Sequence, residues 1–118
     1  MTLDPGVLAE TAVRAARSKK AYDIVVLDIS TSSIMADNFL VCTGRSTIHV
    51  KSIAEGIIEE IEKEAGLVPR LEGWRQAKWI LMDYGSLIVH VFLEEDRKFY
   101  NLERLWGDAG KLGLARNE

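Results

Sequence analysis

Phe39-Leu40-Val41-Cys42-Thr43-Gly44-Arg45-Ser46, leading into Val50, Ile53, Ala54, Ile57, Ile58, Ile61 and Ala65 before Gly66, is the stretch that decides the fold. Five apolar or β-branched residues ended by glycine read as a strand, and Ser46 reads as the cap of a helix whose apolar stripe recurs every three or four residues. Gly66 stops that helix. Towards the N-terminus, Tyr22 to Ile29 is a second β-branched run, in which Val25, Leu27 and Ile29 alternate against Ile24 and Val26, as in a strand covered on both faces. Ser30-Thr31-Ser32-Ser33 breaks it. Earlier still, Asp4-Pro5 reads as an N-cap with proline at the first helical position, and Leu8, Ala9, Ala12, Val13 and Ala16 follow at helical spacing.

Towards the C-terminus, Pro69 to Glu72 reads as a short edge strand. Trp79-Ile80-Leu81-Met82-Asp83 and Leu87-Ile88-Val89-His90-Val91-Phe92 flank the turn Tyr84-Gly85-Ser86 as a hairpin. Beyond Glu94-Glu95-Asp96, Phe99, Leu102, Leu105 and Trp106 return to helical spacing, while the tail from Gly107 has little to bury. The expected architecture is α/β: a single mixed β-sheet of about five strands flanked by helices. One domain is expected over residues 1–109, with 110–118 as a loose tail.

Composition narrows the function. The chain has 118 residues and is 47% hydrophobic, enough for one core without disulfides or a metal staple. A net charge of -3 argues against a broad cationic face for phosphates, so little direct nucleic-acid binding is expected. One cysteine and two separated histidines offer neither a disulfide nor zinc spacing, which fits a reducing cytosol. The N-terminus has neither a signal core nor a transit-peptide composition, and no apolar run is long enough for a transmembrane helix. A cytoplasmic protein without a membrane partner is expected.

Three kinds of chemistry can be tested. Gly44-Arg45-Ser46 between a strand and a helix could hold a phosphate on backbone amides, but it lacks the glycines and lysine of a P-loop; a tight turn with a helix cap accounts for it. Nucleotidyl transfer needs clustered carboxylates to hold divalent ions, whereas Asp23 and Asp28 lie five apart on one strand and Asp83 stands alone. Nucleophilic catalysis would need His49 or His90 as base. Cys42 sits in an apolar strand as an inert thiol. No catalytic residue, metal ligand or cofactor is therefore assigned. The acidic side of the long helix, Glu55, Glu59, Glu60, Glu62 and Glu64, reads as a solvated face, and Arg14, Arg17, Lys19 and Lys20 as cations at a helix C-terminus.

What remains is a surface. Trp74, Trp79, Tyr84, Tyr100 and Trp106 crowd the second half of the chain, and strand alternation puts Trp79, Leu81 and Asp83 on one face. If no helix covers that face, it is an aromatic and aliphatic patch with an acidic edge, suited to a basic protein.

Asp37-Asn38-Phe39-Leu40-Val41-Cys42-Thr43-Gly44-Arg45-Ser46-Thr47-Ile48-His49-Val50 resembles the aspartate-aromatic strand, Thr-Gly turn and His-Val helix start of the ribosomal silencing factor (iojap-like) family. The likeness continues through Glu72-Gly73, Trp79 to Gly85, Val89-His90-Val91-Phe92 and Phe99 to Trp106, covering about Ala21 to Ala109. Ser86 stands where that family usually has a further acidic residue. The resemblance implies a nucleotidyltransferase-like fold without catalytic carboxylates. It further implies a non-enzymatic factor that binds the fourteenth protein of the large ribosomal subunit, blocks joining of the small subunit and represses translation, with roles in large-subunit assembly and a homodimer when free. Carried onto this chain, the docking residues are Trp79, Leu81, Asp83 and Tyr84, with His90 and Phe92 on the paired strand and Leu102, Glu103 and Trp106 in the closing helix. The alternatives are a nucleotide-binding or nucleotidyltransferase-type enzyme, an assembly or RNA-binding module, and an oligomerising scaffold.

Overall fold

A computed structural model of the protein describes residues 5–30, 36–100 and 111–112. In chain order the elements are α1 (Pro5–Ser18), β1 (Tyr22–Asp28), β2 (Asn38–Gly44), α2 (Thr47–Ala65), β3 (Arg70–Glu72), β4 (Trp79–Asp83), β5 (Leu87–Leu93), α3 (Glu94–Tyr100) and β6 (Lys111–Leu112). The strands form one sheet in the order β3-β4-β5-β2-β1-β6. Among the described strands, only β2 and β5 pair in parallel; the other pairs are antiparallel. The mixed sheet expected from the sequence is therefore present, with one strand more than expected.

Every residue of β2 is buried. The strand lies between β1 and β5, so both rows of its side chains meet protein. Leu40 and Cys42 join Ile24, Val26, Ile80, Met82, Val89 and Val91 beneath α1 and α2. Phe39 and Val41 face the other way, with Leu27, Ile29 and Phe92. The alternation read in β1 holds: Ile24 and Val26 point to the helices, and Val25, Leu27 and Ile29 to the second face. A bulge at the start of β1 was not legible. Tyr22 pairs with Thr43 and Val25 with Val41, so β1 carries one extra residue there, and Asp23 takes a positive φ of 49°.

The long helix follows its sequence pattern closely. Ser46 Oγ accepts the His49 N–H, the cap residue is extended (φ -143°), and Gly66 closes the last turn with φ 69° and an N–H bond to Glu62 O. Its buried stripe is Val50, Ile53, Ala54, Gly56, Ile57 and Ile61. Each fully buried isoleucine of this kind contributes about 1.5–3 kcal/mol relative to exposure. The first helix packs beside it on the same face through Leu8, Ala9, Ala12, Val13 and Ala16. The Arg14 guanidinium lies 3.3 Å from Glu64 of α2, so the acidic side of that helix is not wholly given over to solvent.

The short α3 is fastened to the far end of β1 and β2. Buried Arg97 donates to Asp23 O and, at 2.6 Å, to Thr43 Oγ1, while the Tyr22 hydroxyl donates to Glu94. The closing helix expected through Trp106 is described as far as Tyr100; Leu102, Glu103, Leu105 and Trp106 lie outside the described residues. So does the expected cap, Asp4. Where the sequence suggests a loose end, Lys111 and Leu112 pair with Leu27 and Val26 at the outer edge of β1. A two-residue strand joins by backbone bonds alone and leaves almost no hydrophobic signature.

Gly73 controls the approach to β4. Its φ is +79°, and a Cβ built on it would stand 2.0 Å from Trp79 O. Gly73→Ala is therefore expected to cost about 2–4 kcal/mol, from left-handed strain together with a backbone clash, read as a lowered urea midpoint.

Candidate functional site

The β4–β5 hairpin builds the site by alternation. Trp79, Leu81 and Asp83 are two residues apart and share one face, and Ile80 and Met82 between them are buried against the helices. Across the ladder, Trp79 pairs with Phe92, Leu81 with His90 and Asp83 with Ile88. This is the face away from α1 and α2. Trp79, Leu81, Asp83 and Ile88 are partly exposed there, whereas His90 and Phe92 are 3% and 1% exposed. The row of three foreseen on β4 is thus assembled, and Ile88 joins it. Ile88 was missed, although it alternates with buried Leu87 and Val89 just as His90 does.

Two expectations need correction. His90 and Phe92 are buried and so form the backing of the patch rather than its surface. Tyr84 belongs to the opposite side: it packs on the core beneath the helices, and burial, with Glu62 nearby, pushes its phenol well above the ordinary range. Tyr84 directly follows Asp83, so alternation turns it to the face of Ile80 and Met82 before the chain reverses through Gly85 (φ 90°). The Asp83 carboxylate accepts the Gly85 N–H at 2.8 Å, which pins the hairpin turn. Ser86, in the same turn, accepts the N–H groups of Asp37 and Asn38 on its carbonyl, tying the entry of β2 to the hairpin.

Beneath the patch lies an aromatic stack. Trp79 stacks on Phe92 at 4.9 Å between centroids, and His90 meets the edge of Phe39 at 4.6 Å. The Trp79 indole Nε1–H donates to His90 Nδ1 at 3.1 Å. A ring nitrogen that accepts carries no hydrogen, so the neutral imidazole bears its proton on Nε2. That nitrogen is buried and has no hydrogen-bond partner among the described residues. Burial pushes the His90 pKa down to about 4.

The other candidate chemistry resolves into structure. At Gly44-Arg45-Ser46 the Arg45 N–H is taken by His49 Nδ1 at 2.9 Å, and His49 Nε2 meets Lys19 O at 2.8 Å. Gly44 is explained by packing, since a Cβ there would stand 2.9 Å from Val50 Cγ2. The Cys42 thiol is fully buried, and desolvation pushes its pKa up to about 12. Asp28 is held by Ser30, Asp23 lines a cleft with Tyr22, Thr43, Glu94 and Arg97, and Asp83 caps the hairpin turn. These three carboxylates serve three separate places. Among the described residues, no three side chains able to bind a metal gather together.

Known proteins resemble this chain along most of its length. The family model described as "Ribosomal silencing factor during starvation" matches residues 3–118. The chain is 45% identical to the ribosomal silencing factor of Halalkalibacterium halodurans, covering 91% of this chain and 92% of that one. It is 41% identical to the factor of Bacillus subtilis, covering 86% of each. A crystal structure of a Chromobacterium violaceum protein superposes with a TM-score of 0.85 at 33% identity, over 89% of this chain and 88% of that one.

The buried imidazole sets a pH dependence. Unfolded, His90 titrates near 6.5; folded, near 4, so between these values the unfolded chain binds a proton that the folded chain excludes. This contribution to stability is complete above pH 6.5 and falls as the pH drops towards 4, by about 1.4 kcal/mol per unit and about 3 kcal/mol in all. Urea unfolding of wild type and His90→Leu at pH 7.5 and pH 5 is expected to show the wild type losing stability relative to the variant on acidification.

Proposed function

We propose, since this chain belongs to the ribosomal silencing factor family, that it is a ribosome-associated repressor of translation acting by occupancy and not by catalysis. It docks on the large ribosomal subunit through the outer face of the β4–β5 hairpin and, by its bulk, keeps the small subunit from joining. The observation that carries the docking face is the row Trp79, Leu81 and Asp83: partly exposed, on the side of the sheet that the long helices leave uncovered.

An aromatic anchor backed by a rigid layer loses little side-chain entropy on binding, and large aromatics dominate interface energetics. Asp83 adds a carboxylate at the rim, which orients a basic partner and speeds encounter more than it adds affinity. The fourteenth protein of the large subunit is the partner that the family resemblance implies. The same reading makes the protein cytoplasmic, active around large-subunit assembly and homodimeric when free. Two rival readings find less support. The Arg45 amide that a phosphate would use is engaged by His49, and in the basic stretch Arg14 pairs with Glu64 while the Lys19 stem crosses Gly56.

Co-sedimentation with isolated large subunits tests the proposal. Wild type should pellet with them in low salt. Trp79→Ala should bind at least tenfold more weakly, consistent with about 2 kcal/mol for an interface anchor. Asp83→Asn keeps an acceptor for the Gly85 N–H while removing the charge, so it should slow association mainly at low salt, by about two- to fivefold. A wild-type protein that ignores large subunits refutes the function, and native-like binding by Trp79→Ala refutes the face.

A further inference from the structure

We infer that His90 is a positioning residue, whose imidazole holds the Trp79 indole in its docking orientation without itself meeting the partner. The inference rests on the docking reading above but assigns His90 a role of its own. His90 is 3% exposed and sits across the ladder from Leu81, two pairs along from Trp79 and Phe92 and on the same face. A partner laid on this face would meet Trp79 and Leu81 before it could reach the imidazole.

Two of the indole's contacts restrain it in different ways. Stacking on Phe92, with 27° between the ring planes, restrains its tilt, yet a stacked ring can still turn within its own plane or flip. The directional bond from Nε1–H to His90 Nδ1, 3.1 Å long, removes that freedom. The acceptor is itself held, with its ring 4.6 Å from Phe39 at 63° and nearly parallel to Phe92 at 6.3 Å. Trp79 is thereby anchored through its polar edge from below.

The arrangement carries a cost that packing alone does not explain. With Nδ1 accepting, the hydrogen lies on Nε2, a buried donor with no partner among the described residues. An apolar residue of similar size would remove that Nε2–H but would also take the acceptor away from the Trp79 indole N–H. What histidine adds at this position is an acceptor aimed at the indole. Its low basicity keeps it an acceptor across the neutral range, since protonation would set two N–H groups against each other.

The test uses the full-length protein and four forms: wild type, His90→Leu, His90→Gln and Trp79→Ala. In the wild type alone, nitrogen-15 NMR should show a His90 ring protonated on Nε2 and a Trp79 indole hydrogen that exchanges more slowly than that of free tryptophan. The opposite tautomer, or unprotected exchange, overturns the inference without any variant. His90→Leu exchanges the Nε2–H for an indole N–H that lacks this acceptor, so it should unfold at a urea concentration close to that of wild type at pH 7.5, yet bind large subunits about five- to tenfold more weakly, the loss expected for one neutral hydrogen bond. His90→Gln, whose amide oxygen can accept, should recover most of that loss. If His90→Leu binds like wild type while Trp79→Ala does not, the positioning role fails and the docking face stands. If both variants bind like wild type, the docking face fails and the positioning role with it. A loss that His90→Gln does not recover overturns the hydrogen-bond assignment.

Discussion

The rest of the molecule depends on β2 being buried on both faces. A strand in that position must have apolar side chains pointing both ways and a hydrogen-bonded neighbour along each edge. Here β1 supplies one edge in antiparallel fashion and β5 the other in parallel. The parallel neighbour requires a long crossover, and α2, β3 and β4 provide it. The helix therefore crosses one face of the sheet, and β4 arrives beside β5 as the return arm of a hairpin. The place of the candidate docking strand follows from how the central strand is satisfied.

That arrangement makes the two faces unequal. Both long helices cover the face of Leu40, Cys42, Ile80 and Met82, and their apolar stripes fill it. The other face is built from Leu27, Phe39, Val41 and Phe92, with Val25, Trp79 and Ile88 partly buried around them. Aromatic rings bury much area per residue and stiffen a surface, so Trp79 rests on a firm support. Among the described residues, buried Arg97 has a definite place at the edge of this layer, reaching Asp23 O and Thr43. His90 differs, with one nitrogen engaged and the other unpaired among the described residues.

The nucleotidyltransferase-like fold that the family resemblance implies is compatible with a different use of the sheet. In this chain the turn after β2 is closed by its own neighbours, with the Arg45 amide on His49 and the Ser46 hydroxyl on the His49 amide. The side chains that an enzyme search would single out, Cys42, His49 and His90, all do structural work. On the proposed docking reading, fold and function separate because an interface needs only a shaped, partly exposed surface, whereas catalysis needs convergent reactive groups.

The local sequence determined the order of the elements from α1 to α3, the α2 stripe and its two caps, the opposed rows of β1, and the sharing of one face by Trp79, Leu81 and Asp83. Those features follow from local chemistry: a period of 3.6 or 2, a serine before a helix and a glycine after it. Likeness of residues from Asp37 to Trp106 supplied the family, which periodicity cannot. Only the tertiary structure decided which face the helices take, that Tyr84 turns beneath them, that His90 and Phe92 are buried behind Trp79, that β1 bulges at Asp23, and that Lys111 and Leu112 close the edge. Each of these depends on which strand lies beside which, and strand pairing is made by backbone groups that every residue shares, so the side-chain sequence carries little trace of it.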